Sequence, residues 1–321
     1  MTLSDPGAAW RVLAVVVAWN SAAHVARAVA SIPPGARRLV VDNASSDGSA
    51  EEARRAGAEV LSPGRNLGFG PACNLGAAGA GPGHDAILLL NPDAELEGGE
   101  ACLGALLATL DSDPGLGAAA PALEGEGQEA FQLRRLPTLG SIAREALLVN
   151  RLWPGNRWLR SERYLDRRRD VPFDVEQPAA AALLVRRKAF EAVGGFDPSF
   201  VPAWFEDVDL CARLLESGYR IRFVPSAHAR HAGGSTLKRL PYDDFVPLYA
   251  RNLLRYASRH GGAAFGALAR LLSAAGALLR IGLLPVVRGD HSSAETARGY
   301  GRVLRGCLGL GWKSSLIGPE G

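Results

Sequence analysis

The sequence predicts an α/β protein, an open and mostly parallel sheet flanked by helices, followed by a helical C-terminal extension. Three observations predict it: apolar runs of strand length, intervening segments at helical spacing, and polar residues gathered where the runs end. The first run, 11–19, reads "RVLAVVVAW" and is short and β-branched, as a strand buried on both faces requires. Asn20 and Ser21 then stand as caps before "AAHVARAVASI", a helical pattern stopped by Pro33 and Pro34. "RRLVVDNASSDGS" (37–49) is a second strand entering a polar, turn-rich loop. "EEARRAGAEV" gives a short helix, Gly57 near its end, and a third strand. A buried strand within 83–97 ends at Asn91-Pro92-Asp93. The helix after it carries Leu103, Leu106, Leu107 and Leu110 on one face, with Pro114 beyond. In sheets of this kind ligands bind at the carboxyl ends of the strands.

Residues 124–170 break the pattern with an Arg-rich, aromatic-studded stretch, which reads either as solvated surface or as a basic rim for an anionic partner. "AAAALLVRRKAF" (179–190) returns to a strand and a helix start. From about 242 the chain is helical, so the expected division is 1–240 and 241–321. Arg270 and Arg280 interrupt the most apolar zone and leave "LLSAAGALL" between them, short of the ~20 apolar residues that span a bilayer. A packing helix and a helix lying on a membrane surface both fit.

Composition narrows the function. A chain of 321 residues with a net charge of +3 carries no electrostatic case for nucleic acid. Its 4 cysteines form no C-x-x-C pair, which argues against structural zinc or a disulfide framework and for a reducing cytoplasm. The first ten residues lack the basic start of a signal peptide. "GFGPACNLG" is a poor dinucleotide fingerprint: Cys73 stands where a third Gly or Ala belongs, and the run does not follow the first strand. No Walker A pattern occurs.

Two strand ends carry more chemistry. Asp93 lies where its carboxylate would face the ligand crevice, as a residue holding a divalent cation against substrate phosphates would; Asn-Pro-Asp is equally good turn chemistry. Asp42 ends its strand before small polar residues, where a carboxylate can accept from a base imide or close an Asx turn.

The order of the pieces is specific. "VVVAWNS", "VVDNASSDGS", "NLGFGPACNLG", "LLLNPDAELE", "GGFDPSFVPAWFEDVDLCARL" and "HARHAGGS" follow one another over residues 14–235. This resembles the family 2 inverting glycosyltransferases of GT-A fold, in their rhamnosyltransferase-like branch, over about two thirds of the chain. The resemblance implies a nucleotide-diphosphate-sugar donor, a divalent cation (Mg²⁺ or Mn²⁺), and transfer with inversion to a saccharide or lipid-linked saccharide in bacterial cell-surface polysaccharide synthesis. The implied donor is dTDP-rhamnose, with UDP- or GDP-sugars, or a non-catalytic nucleotide-sugar-binding module, as alternatives. Carried over, Asn20, Asp42 and Asn43 border the nucleoside, and Asn66, Gly68 and Asn74 belong to the loop and helix over base and diphosphate. Asn91 and Asp93 fill the first and last places of the metal motif, and His231 matches a histidine that supplements metal or diphosphate contacts. "AWN" replaces the usual Thr-Tyr-Asn, and "EQPAAAALL" replaces an aromatic, glycine-containing stretch beside the acceptor or sugar pocket.

Residues 203–214, "AWFEDVDLCARL", hold three carboxylates. On a helix Asp207 shares its face with Leu210, Cys211 and Leu214 and turns inward, whereas Asp209 pairs with Arg213 at i, i+4. Glu206 is placed to hold a backbone amide at the helix start, and Trp204 and Phe205 to wall a sugar face. Asp207 coincides with the family's base. A helix N-terminus would lower its pKa and burial would raise it. The expected setting is the cytoplasm, with peripheral contact at the inner face of the membrane.

Overall fold

The computed structural model describes residues 10–125, 131–233, 240–285 and 291–312. In chain order its elements are β1 (Val12–Ala18), α1 (Val25–Ser31), β2 (Arg37–Asp42), α2 (Ser49–Arg55), β3 (Glu59–Leu61) and α3 (Phe69–Gly79). β4 (Ala86–Leu90), β5 (Ala94–Leu96), α4 (Glu100–Ser112), β6 (Leu116–Glu124) and β7 (Leu133–Arg134) follow. Three short helices come next: α5 (Leu139–Ala146), α6 (Val149–Leu152) and α7 (Arg157–Glu162). Then come β8 (Phe173–Val175), β9 (Gln177–Pro178), β10 (Ala182–Arg186), α8 (Arg187–Ala192), α9 (Glu206–Glu216) and β11 (Arg220–His231). The helices α10 (Tyr242–Leu283) and α11 (Ser293–Cys307) close the series.

The chain divides into two compact units. The first, residues 1–134 and 167–233, holds the sheet in the order β3-β2-β1-β4-β10-β6-β11-β5. β3, β2, β1 and β4 run parallel, as the βαβ pattern predicts, and β6 pairs parallel with β11. β10 runs antiparallel between β4 and β6, which sets its N-terminal end beside the C-terminal ends of β1, β2 and β4. All seven residues of β1 and all five of β4 are buried, which explains their unbroken apolar runs. α3 lies close on this sheet because Gly76 has no side chain: a Cβ there would stand 2.8 Å from Val15.

The second unit is residues 135–166 and 234–321, in which the Arg-rich segment joins the C-terminal helices. Its core gathers Ile142 of α5, Val246, Leu254, Ala269 and Ala277 of α10, and Val303 of α11. α10 kinks at Gly262, whose φ is 74°. Arg270 donates to the Gly306 and Cys307 carbonyls that end α11, and Arg280 donates to the Glu145 and Ala146 carbonyls that end α5. The arginines that interrupt the apolar run are thus helix-terminus donors.

Candidate active site

The register fixes what meets at one end of the sheet. Ala18 pairs with Asp42, Val16 with Leu90, and Ala182 with Leu90 across the antiparallel seam. Asn20, Asp42, Asn91 and the residues before β10 therefore leave the sheet on one edge.

The nucleoside-side residues are laced to one another. Asn20, at φ 50°, receives the Ser46 amide on Oδ1 at 2.9 Å, and its own amide donates to the Ser45 hydroxyl at 2.9 Å. Asp47 accepts from the Ala22 amide, and Ser49 from the Ser21 amide. Asp42 is buried and receives the Ser45 amide at 3.4 Å. Asn43, also buried, donates to the Gly68 carbonyl and accepts from the Leu67 amide, both at 3.2 Å. Asn66 accepts from the Gly68 amide at 2.9 Å. Asn74 spends its amide on both backbone groups of Phe196, at 2.7 and 2.8 Å, and clamps α3 to the segment leading into α9.

The residues of the expected metal motif stand close together. β11 pairs with β5 so that His231 lies opposite Ala94, next to Asp93. His231 Nε2 stands 3.2 Å from Asp93 Oδ1 and 3.4 Å from Asn91 Nδ2. Nδ1 of His231 is buried without a hydrogen-bond partner. A buried carboxylate oxygen beside an imidazole nitrogen is a donor pair that would suit a divalent cation. Among the described residues no third metal-ligating side chain joins them. The rest of the "HAGGS" motif beyond Gly233 lies outside the described residues.

The acidic helix start departs from expectation in several respects. Trp204 and Phe205 both adopt left-handed backbone, at φ 70° and 71°, so α9 begins at Glu206. Phe205 is buried in the core and does not wall a sugar face, whereas Trp204 keeps partial exposure. Glu206 is buried and accepts from its own backbone amide, the helix-start contact expected of it, while its Oε2 lacks a hydrogen-bond partner. Burial, then the neighbouring Asp207 charge, push its carboxyl well above the usual carboxylate range. The Val208 amide donates to Asp207 Oδ1 at 2.8 Å.

Asp209 is the most deeply buried of the three, at 0% exposure, because α9 is covered on both faces. Its pair with Arg213 forms at 2.6 Å, and Arg213 also donates to the Val193 carbonyl. Asp207 is half-buried, and its Oδ2 receives Gln177 Nε2 at 3.2 Å. Burial raises the Asp207 carboxyl; the Val208 and Ala180 amides and the Arg134 charge oppose that without overturning it. A carboxylate raised in this way is the better proton acceptor.

Comparison with known proteins decides what this constellation belongs to. A family model described as the N-terminal domain of galactosyltransferase matches residues 168–233. The N-acetylglucosaminyl-diphospho-decaprenol L-rhamnosyltransferase of Mycobacterium tuberculosis is 32% identical over 264 residues, 77% of this chain and 84% of that protein. The chain is a GT-A glycosyltransferase of the rhamnosyltransferase-like type. The Escherichia coli rhamnosyltransferase WbbL is 42% identical to this glycosyltransferase over 57 residues, 18% of the chain and 21% of WbbL. Two solved structures share its fold. The Pyrobaculum calidifontis mannosyltransferase in complex with GDP-Man and Mn²⁺ has a TM-score of 0.56 at 13% identity, covering 96% of this chain and 88% of that one. Glucosyl-3-phosphoglycerate synthase of M. tuberculosis, in complex with Mn²⁺, UDP and its product, has a TM-score of 0.52 at 16% identity, covering 81% and 87%.

Two residues of the glycosyltransferase site escaped sequence reasoning. Gln177 lies in "EQPAAAALL", a stretch marked by its departure from relatives, but nothing in that run says which residue points at Asp207. The two-stranded ribbon of β7 and β9 does: it pairs Arg134 with Gln177 and sets both beside the carboxylate.

Proposed function

We propose that this glycosyltransferase moves rhamnose from dTDP-rhamnose to a hydroxyl of a polyprenyl-diphosphate-linked saccharide, with inversion, at the cytoplasmic face of the membrane, in cell-wall polysaccharide synthesis. The choice of donor and acceptor class follows the 32% identical relative, whose name states both the sugar and a lipid-diphosphate acceptor. The observation that carries the chemistry is Asp207, held by Gln177 and raised by its surroundings.

In this mechanism the Asp207 carboxylate takes the proton of the acceptor hydroxyl as that oxygen bonds to the anomeric carbon. The bond from that carbon to the nucleoside diphosphate breaks, and its electron pair leaves on the diphosphate. Attack opposite the leaving group inverts the configuration. Asn43, Asn66 and Gly68 shape the loop over the diphosphate, and the lacing of Asn20 to Ser45 and Ser46 fixes the nucleoside edge. Asp93 and His231 would hold a Mg²⁺ or Mn²⁺ ion, which when bound neutralises charge on the departing diphosphate. Burial raises the Asp207 carboxyl and makes it the stronger proton acceptor, a property that a silent sugar-binding module does not need.

The test is transfer from dTDP-rhamnose, UDP-galactose, UDP-N-acetylglucosamine and GDP-mannose to a short-chain polyprenyl-diphosphate N-acetylglucosamine. Wild type should prefer dTDP-rhamnose, and Asp207→Asn should lower kcat by about 10²–10⁴-fold while still binding the donor. Preference for another donor overturns the rhamnose assignment. Wild-type rates in Asp207→Asn overturn the mechanism.

A further inference from the structure

Most of the large hydrophobic side chains that the described residues leave exposed belong to the second unit; apart from Leu308 and Leu310 after α11, they gather in two places. One is the segment 147–160, "LLVNRLWPGNRWLR", which contains no acidic residue and three arginines. Leu147, Leu152, Trp153 and Trp158 of this segment are 51%, 81%, 59% and 42% exposed, and Arg151, Arg157 and Arg160 are exposed between them. The other is α10, where Leu268, Leu271 and Leu278 recur at helical spacing with 47%, 66% and 60% exposure. Only 22% of the most apolar 18-residue window of α10 is buried. Ala146 packs on Gly276, so the chain enters 147–160 beside the part of α10 that carries these leucines.

The 147–160 segment is built, not loose. Asn156, fully buried, donates to the Trp153 carbonyl at 2.7 Å and to Asn150 at 3.2 Å, and accepts the Leu159 amide at 2.8 Å. This pins the Trp-Pro-Gly turn and presents the two indoles edge to face, 6.2 Å apart. The Arg157 guanidinium lies over the Trp158 ring at 5.3 Å.

We propose that this face docks on an anionic lipid bilayer, with Leu152, Trp153 and Trp158 entering the headgroup boundary and Arg151, Arg157 and Arg160 contacting lipid phosphates. Exposed indoles and leucines ringed by arginine, with no carboxylate in the segment, complement an anionic membrane surface chemically. An interface with a second copy of the chain would bring three arginines against three arginines if the same face were used twice, so charge favours the bilayer. The docking does not depend on which sugar is transferred.

Flotation of the full chain with vesicles of phosphatidylcholine and phosphatidylglycerol, against vesicles of phosphatidylcholine alone, tests it. Wild type should float with the mixed vesicles and at least about tenfold more weakly with the neutral ones. Leu152→Ser/Trp153→Ser and, separately, Arg151→Glu/Arg157→Glu should each lose flotation, with far-UV dichroism and transfer to a soluble acceptor unchanged. Wild type that ignores both vesicles overturns the proposal, as do charge-reversed variants that float like wild type. A wild-type dimer that the Leu152→Ser/Trp153→Ser pair splits, without vesicle binding, assigns the face to a second copy and equally overturns it. None of these outcomes touches the rhamnose assignment, which the donor comparison decides.

Discussion

At the scale of single residues, the three carboxylates of α9 have three different environments. Helical spacing alone identified the Asp209–Arg213 pair and the inward set of Leu210, Cys211 and Leu214, all of which the structure contains. It could not see that α9 is covered on both faces, so that this pair is buried. Nor could it find Gln177, because the Gln177–Asp207 contact joins residues 30 positions apart through a two-stranded ribbon. That contact predicts a pH effect. The Gln177 amide donates to the Asp207 carboxylate and so favours its charged form. Burial already raises Asp207, and activity that needs the carboxylate is lost as pH falls through its folded pKa. Removing the donor raises that pKa further. Gln177→Ala should therefore move the acid limb of kcat/KM to higher pH, and Gln177→Glu, if its carboxylate is charged, should move it further in the same direction. A pH–rate profile checks both. An unmoved limb with a uniformly lower rate would reduce Gln177 to packing.

At the scale of elements, the site depends on how α3 meets the chain before α9. Gly68 opens α3 at φ 83°, its neighbour Phe69 donates to the Pro202 carbonyl, and a Cβ on Gly68 would stand 2.8 Å from that oxygen. Asn74 clamps the same helix to Phe196. Two clasps on one short helix thus aim the chain that delivers Asp207. The family resemblance implies that Gly68 and Asn74 belong to the loop and helix over the donor, but their contacts are with residues more than a hundred positions later, which no local pattern encodes. Gly68→Ala should cost stability by about 1–3 kcal/mol through the left-handed backbone and the clash. It should also lower kcat more than a matched loss of stability would, since Asp207 moves with residues 201–205. Denaturant midpoints read beside single-turnover rates check this: a stability loss with normal kcat would show that the clasp does not aim the base.

At the scale of the whole molecule, the parallel half of the sheet was legible because β1 and β4 are buried on both faces and so carry unbroken apolar runs, and β2 keeps an apolar, buried Leu39-Val40-Val41 between polar ends. The antiparallel insertion of β10 and the recruitment of 135–166 by the C-terminal helices were not, since both are decided by pairing across long stretches of chain. Topology also makes the proposed metal site. Asp93 follows β4 and His231 ends β11, and it is the β5–β11 ladder that brings them to 3.2 Å. A site assembled from one carboxylate and one imidazole has a definite metal preference: the carboxylate suits Mg²⁺ and Mn²⁺, and the nitrogen favours the latter. Thermal unfolding with dTDP should therefore rise more with Mn²⁺ than with Mg²⁺, a ligand at 100 times its Kd adding about 2.7 kcal/mol. Asp93→Ala should abolish the metal-dependent part of the rise. His231→Ala should remove the advantage of Mn²⁺ over Mg²⁺ while leaving a smaller shift with either ion. The readout is binding, independent of turnover, so a silent variant still reports. Equal shifts in wild type and His231→Ala across both ions would mean that the imidazole serves the diphosphate or the fold, with the buried Nδ1 left unsatisfied for another reason.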